Sequence, residues 1–302
     1  MENRSAVETS IVAAHVVRLA VPTPTLPPAF ETNTYVIFNG DKAILVDAGS
    51  DHPDILAELV HTIGRLGIRQ VEALLATHYH RDHTHGLPYL QRHSRAPILI
   101  HPADQTQLQH EFAAIGQTEA AQFIQAMPRA WDLAGLRVDI RHAPGHTHGH
   151  VHIIIAADDV ILVGDHLSGD GSVWIGPPDG HMSDYYTALN AIVDSGMTVA
   201  GPGHGSVLLD APAAARRIRQ RRDRREQDMI DLLHGAALTI DELTNQLYAG
   251  VVPEEAMWVA RRTVRAHVLH MLADHRVRRT YTGAHAGFRY ASTNDSLEGT
   301  VQ

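Results

Sequence analysis

Short β-branched runs alternate with longer stretches of helical period through the first two thirds of the chain. Runs at 15–20, 34–38, 43–46, 73–76, 98–100, 138–141, 151–155 and 160–163 are rich in Val, Ile and Leu, which predicts strands. Apolar positions three and four apart predict helices over 53–66, 103–114, 119–126 and 183–194, the last with Ser183 as N-cap. Past Asp210 the pattern turns helical. Residues 216–234, 240–248 behind a Thr239 cap, and 253–274 read as helices, and 276–292 sets Gly283 and Gly287 between β-type runs, as in a hairpin.

The first pattern predicts an α/β layered domain in which helices cover sheets. Three helices and a hairpin predict a small winged-helix-like module after it. Charge changes at the same place: residues 1–215 carry a net −12 and residues 216–302 a net +3, within a total of −9. The expected domains are therefore 1–215 and 216–302. Overall acidity disfavours nucleic acid as the main partner. The apolar segment 11–21 is interrupted by His15 and Arg18, and no run approaches the roughly 20 apolar residues of a membrane span. A cytoplasmic location without membrane contact is the expectation.

Composition adds one strong signal. The chain has no cysteine but 23 histidines, and nine of them fall within 78–85 and 142–152. Any metal must then sit on nitrogen and oxygen. In Thr77-His78-Tyr79-His80-Arg81-Asp82-His83, an extended segment points His78 and His80 to one side, so both can hold one ion. Asp82 and His83, one turn further on, can hold a second beside it. Three more candidates follow strands or turns: His146 in Pro-Gly-His-Thr, Asp165 after Gly164, and His204 in Gly-Pro-Gly-His-Gly. A carboxylate at the Asp165 position can bridge two ions. Each of the three is commonplace alone; their set in this order is specific.

The residues THYHRDH, APGHTHGH, GD and GPGHG resemble the motif pattern of the metallo-β-lactamase superfamily. The resemblance spans about residues 15–210 and implies an αββα sandwich and dinuclear metal chemistry. Carried onto this chain, it implies that His78, His80 and His146 bind a first zinc, and Asp82, His83 and His204 a second, with Asp165 between them. Asp47, in LVDAG, would orient the site. The part after 215 is similar to the branch carrying a C-terminal winged helix, which includes β-lactamase-like endoribonucleases. His85 and His148 stand where that pattern commonly has glycine and proline, and neither is a ligand position.

The expected function is hydrolysis by a hydroxide bridging two Zn2+ ions per chain, with Fe or Mn satisfying the same donors. Asp82 would orient the nucleophile as well as bind metal. The expected substrate is a small molecule with an activated bond: an ester, thioester or lactone, or an activated aryl ether. Loops 22–32 and 172–181 are expected to line the mouth, supplying Phe30, Trp174, Ile175 and His181, with His85 nearby. Two alternatives compete. Seven arginines between 216 and 225 suit an endoribonuclease, though interleaved aromatics are missing. The appended module suits a non-catalytic partner subunit, which the complete ligand set argues against. A homo-oligomer is expected; a hetero-oligomer is the other assembly considered.

Overall fold

The computed structural model describes residues 7–27, 29–169, 171, 173–283 and 287–293. In chain order its first half runs β1 (Glu8–Ala13), β2 (Val16–Pro22), β3 (Glu31–Asn39), β4 (Lys42–Val46), α1 (Pro53–Arg65) and β5 (Gln70–Leu75). There follow α2 (Arg81–Thr84), α3 (Leu87–Ser94), β6 (Ile98–Ile100), α4 (Gln105–Ala114) and β7 (Ile124–Ala126). The second half runs β8 (Ala130–Leu133), β9 (Leu136–His142), β10 (Val151–Ile155), β11 (Val160–Gly164), α5 (Met182–Asp194) and β12 (Val199–Pro202). Then come α6 (Ala211–Leu233), α7 (Ile240–Tyr248), α8 (Met257–Ala273), β13 (Val277–Tyr281) and β14 (Phe288–Ser292).

The strands form two sheets, β1 through β7 in sequence order and β12-β11-β10-β9-β8, plus the β13–β14 hairpin. Alternation along each strand explains the layers. On β4, Ile44 and Val46 face the opposite sheet while Ala43 and Leu45 face helices α1 and α3. On β11, Val160 and Leu162 face the first sheet and Ile161 and Val163 face α5. Both faces are therefore buried, which is why these strands read as continuous apolar runs. The result is the expected helix–sheet–sheet–helix sandwich. Thr239 caps α7 as expected, within a capping box completed by Glu242. The cores of the sandwich and of the C-terminal module are separate clusters, the latter built on Met229, Leu243, Val264 and Val277.

Several local expectations are corrected. Residues 119–126 are a 3-10 turn, Thr118–Phe123, leading into strand β7 at the sheet edge, where Ile124 pairs with Ile98. A short apolar run satisfies either period, and pairing with β6 decides it. His181, not Ser183, is the N-cap of α5, and Ser183 Oγ instead lies 2.8 Å from His270 Nδ1 on α8.

Candidate metal centre

The candidate residues lie where strands of both sheets end. Asp47 follows β4, residues 77–83 follow β5, His146 sits in the turn after β9, Asp165 follows β11 and His204 follows β12. The sheets are joined at this point, since Val151 N donates to Thr77 O at 3.0 Å. A rigid sandwich thus aims five segments at one point.

Hydrogen bonds determine which ring nitrogen each histidine presents. Thr77 donates its hydroxyl to Asp47 Oδ2 at 2.8 Å, so at 3.1 Å His78 Nδ1–H donates to Thr77 Oγ1. Asp47 Oδ2 also accepts from His83 Nδ1 at 2.7 Å. His146 Nδ1 donates to the Trp174 carbonyl at 2.8 Å, and His204 Nδ1 to the Glu31 carbonyl at 2.7 Å. Four Nε2 lone pairs are thereby turned inward. His80 is reversed: its Nδ1 faces in, 3.0 Å from His78 Nε2 and 2.9 Å from His146 Nε2. Its outer side approaches Asp179, which accepts the Tyr79 hydroxyl at 2.6 Å.

Two donor sets result: His78, His80 and His146, and Asp82, His83 and His204. Asp165 stands between them. Its Oδ1 is 3.4 Å from His83 Nε2 and 3.6 Å from His204 Nε2, and its Oδ2 is 3.6 Å from His146 Nε2. Asp82 Oδ2 is 3.5 Å from His204 Nε2 and accepts the Thr25 hydroxyl at 2.5 Å.

This arrangement fits a cation. In the neutral tautomers just described, ring lone pairs face one another, and Asp165 Oδ1 is buried without a hydrogen-bond partner. Nitrogen ligands of one zinc lie about 3.3 Å apart for bonds near 2.0–2.1 Å, close to the separations seen. The charge balance agrees. Burial, with His80 nearby, lowers His146 to about 4, and burial with neighbouring imidazoles pushes His78 well down. Burial opposes charge on His83 and His204 too, but Asp165 with Asp47 or Asp82 outweighs it and raises both. The same cations hold Asp165 and Asp82 well below the usual carboxylate range despite their burial. The carboxylate-rich half therefore attracts positive charge, from a proton or from a metal ion competing with it.

Asp47 is the hinge of this network, at φ +58 in the left-handed region, with Oδ1 also accepting Thr77 N at 2.7 Å. Asp47→Asn is expected to weaken metal binding roughly 10–100-fold, measured by chelator competition, because an outer carboxylate orients its imidazole partner.

The expected substrate contacts are scattered. Phe30 is exposed on the loop that carries Thr25. Trp174 packs edge-on to Trp258 of α8, with the Arg262 guanidinium 5.8 Å from its ring. Ile175 is corrected: it is fully buried against α5 in the core and lines no mouth. His85 turns to Glu111 at 3.2 Å, and the exposed His181 pairs with Asp184 at 3.0 Å. Ser172 lies outside the described residues. Residues the motifs did not mark include Thr25, Asp179 and the carbonyls of Glu31 and Trp174. A backbone carbonyl carries no side-chain signature, so only the fold could find the last two.

Comparison with known proteins defines the class. Residues 27–204 match the metallo-beta-lactamase superfamily, and residues 239–284 match the beta-lactamase associated winged helix domain. The chain belongs to the metallo-β-lactamase superfamily, whose members bind metal ions, and it is a hydrolase carrying a C-terminal winged helix. It is 27% identical over 255 residues to an atrochrysone carboxyl ACP thioesterase of Aspergillus chevalieri, covering 81% of this chain and 76% of that one. It is 26% identical over 273 residues to the lactamase-like protein vrtG of Penicillium aethiopicum, covering 88% and 83%. Among solved structures, a beta-lactamase domain protein from Burkholderia ambifaria aligns with a TM-score of 0.76 at 18% identity, over 95% and 94% of the two chains. A metallo-beta-lactamase family protein from Thermus thermophilus aligns at 0.72 with 22% identity, over 92% and 98%.

Proposed function

We propose that this chain is a dinuclear zinc hydrolase of small activated acyl compounds, with thioesters the first class to test and esters and lactones next. One observation carries the reading: seven inward-facing donors form two sets joined by Asp165. The thioesterase name of a relative supports the substrate class. His78, His80 and His146 would hold one ion and Asp82, His83 and His204 the other, with Asp165 shared. Such ions supply Lewis-acid polarisation of a carbonyl and a water-derived nucleophile at neutral pH. The protein's own part is orientation. Asp47, Thr77, Glu31 and Trp174 fix the rings, and Asp82, held by Thr25, would orient the attacking water as well as bind metal.

The substrate would enter beside Phe30 and Trp174. Phe30→Ala is expected to raise KM for long-chain thioesters several-fold with metal content unchanged. Equal KM would remove Phe30 from the acyl path. The organisation proposed is a catalytic part, 1–215, and a C-terminal part, 216–302, sharing helix α6 across the division. Among the described residues no helix is long and apolar enough to cross a membrane. A cytoplasmic homo-oligomer completes the reading, and light scattering tests the assembly.

Structure weakens the ribonuclease alternative. Arg219 stacks on Tyr186 at 3.8 Å, Arg222 is buried and donates to the Val173 carbonyl, and Arg225 lies over Tyr248 at 4.8 Å. Three of the seven arginines thus fasten α6 in place. The deciding experiment is elemental analysis of the purified protein with a thioester, ester and lactone panel and a fluorescent RNA. Two zinc ions per chain and chelator-sensitive thioester turnover are expected; absence of bound metal, or cleavage of RNA alone, would overturn the proposal.

A further inference from the structure

Behind the seven donors lies a second group of histidines that the proposed hydrolysis does not use. His150, His152 and His166 are buried, with ring centroids 4.0 Å apart for His150–His166 and 4.9 Å for His152–His166. Three imidazoles so close have the composition of a further metal site. Their hydrogen bonds point elsewhere. His152 Nε2 and His166 Nδ1 are 2.7 Å apart, the length of a direct N–H···N bond and shorter than the about 3.3 Å between two nitrogens on one zinc. His150 Nε2 accepts the backbone N–H of Asp165 at 3.1 Å. That lone pair is engaged, so in the neutral ring the proton sits on Nδ1, which presents no lone pair to an ion.

We propose that His150 is a positioning residue for Asp165, backed by the His152–His166 pair. The inference rests on the dinuclear reading above. His150 fixes the main chain of the residue whose carboxylate stands between the two donor sets. The same ring lies nearly parallel to His78, 5.2 Å away at 25°, and leans on His166 at 34°. His166 is itself tied to α5, where Tyr185 donates its hydroxyl to the His166 carbonyl at 2.9 Å. One imidazole thus sets both the backbone of Asp165 and the back of His78.

Gly164 makes the contact possible. At φ +48, a Cβ there would stand 2.6 Å from His150 Nε2 and 2.9 Å from Thr77 Oγ1, so any side chain would push His150 off Asp165.

The test compares His150→Phe, which keeps a ring without an acceptor, with His150→Gln, whose amide oxygen can reach the Nε2 position. Both are measured for zinc per chain under graded chelator and for the visible spectrum of the cobalt-loaded protein, with circular dichroism as the check on folding. His150→Phe is expected to lose roughly 10–100-fold in metal affinity and to shift the cobalt spectrum, as loss of an outer partner does. His150→Gln should recover most of both. Wild-type affinity and spectrum in His150→Phe would overturn the positioning role, as would equal impairment of the two folded variants. If His150→Phe does not fold, His150→Gln decides, a wild-type cobalt spectrum supporting the role and an altered one refuting it. A third equivalent of metal in the wild type, lost in His150→Phe, would make the cluster a metal site instead. Wild-type protein without metal would bring down the dinuclear reading and this inference together, whereas metal-replete wild type with an indifferent His150→Phe would sink the inference alone.

Discussion

Asp165→Asn is expected to leave at most one tightly held ion per chain and to abolish detectable turnover. Asp165 addresses both donor sets, with Oδ1 toward His83 and His204 and Oδ2 toward His146. The substitution preserves shape but removes the charge that would balance the two proposed dications, and it turns an amide donor toward one set. The loss should exceed the roughly 10–100-fold that follows removal of an outer partner. Zinc per chain after dialysis is the measurement, with turnover of a thioester beside it. Retention of two ions and of activity would show that the carboxylate is not shared.

The second large effect concerns the seam between the sandwich and the C-terminal module. Glu226 of α6 is almost wholly buried, yet it accepts from Tyr186 on α5 at 2.8 Å, from His267 on α8 at 3.0 Å and from Arg276 just before β13 at 2.5 Å. Glu226→Ala leaves those three groups facing one another without an anion. Breaking a buried charged network from one side costs about 3–5 kcal/mol, and denaturant melts should show it. A change under about 1 kcal/mol would mean that the seam is held mainly by apolar packing.

The same knot gives a pH dependence. Burial alone would raise the Glu226 carboxyl, but His267, Arg276 and Tyr186 outweigh it and hold the group at about 2. Its contribution is complete above the ordinary carboxyl range and is lost as pH falls through about 2. Burial lowers His267 to about 4, with the bond to Glu226 offsetting part of the effect. A neutral His267 contributes fully above the ordinary imidazole value near 6.5 and loses that contribution as pH falls through about 4. Both slopes have the same sign, so the fold weakens on acidification, His267 first. In His267→Gln the slope between pH 6.5 and 4 should flatten; an unchanged slope would assign the acid sensitivity to other groups.

Much of this was legible in the linear chain, for reasons that are local. Strand segments buried on both faces are mostly apolar, so β4, β10, β11 and the end of β5 announced themselves. Strand β12 did not, because Gly201 and Pro202 at its end read as a loop until pairing with β11 makes it a strand. Strands β1 and β8 are half exposed and lack a continuous run. The spacing His78, His80, Asp82, His83 is a geometric statement in itself, since two residues apart on extended chain means one side and three apart across a turn means close approach. The absence of cysteine and the clustering of histidine left few other chemistries.

What the linear chain determined, then, is the candidate donor residues, most of the strands that end beside them and hydrolysis as the class of reaction, because each depends on residue type and short spacing. Tertiary structure alone decided which nitrogen each ring presents. Partners 28 to 173 residues distant set that choice for three rings, the Trp174 carbonyl for His146, Asp47 for His83 and the Glu31 carbonyl for His204. It also buried Ile175, turned His85 to Glu111, and fastened part of the arginine run to aromatic rings. And it placed His150 against the Asp165 amide, a contact made only where two loops from neighbouring strands converge, and one that no periodicity encodes.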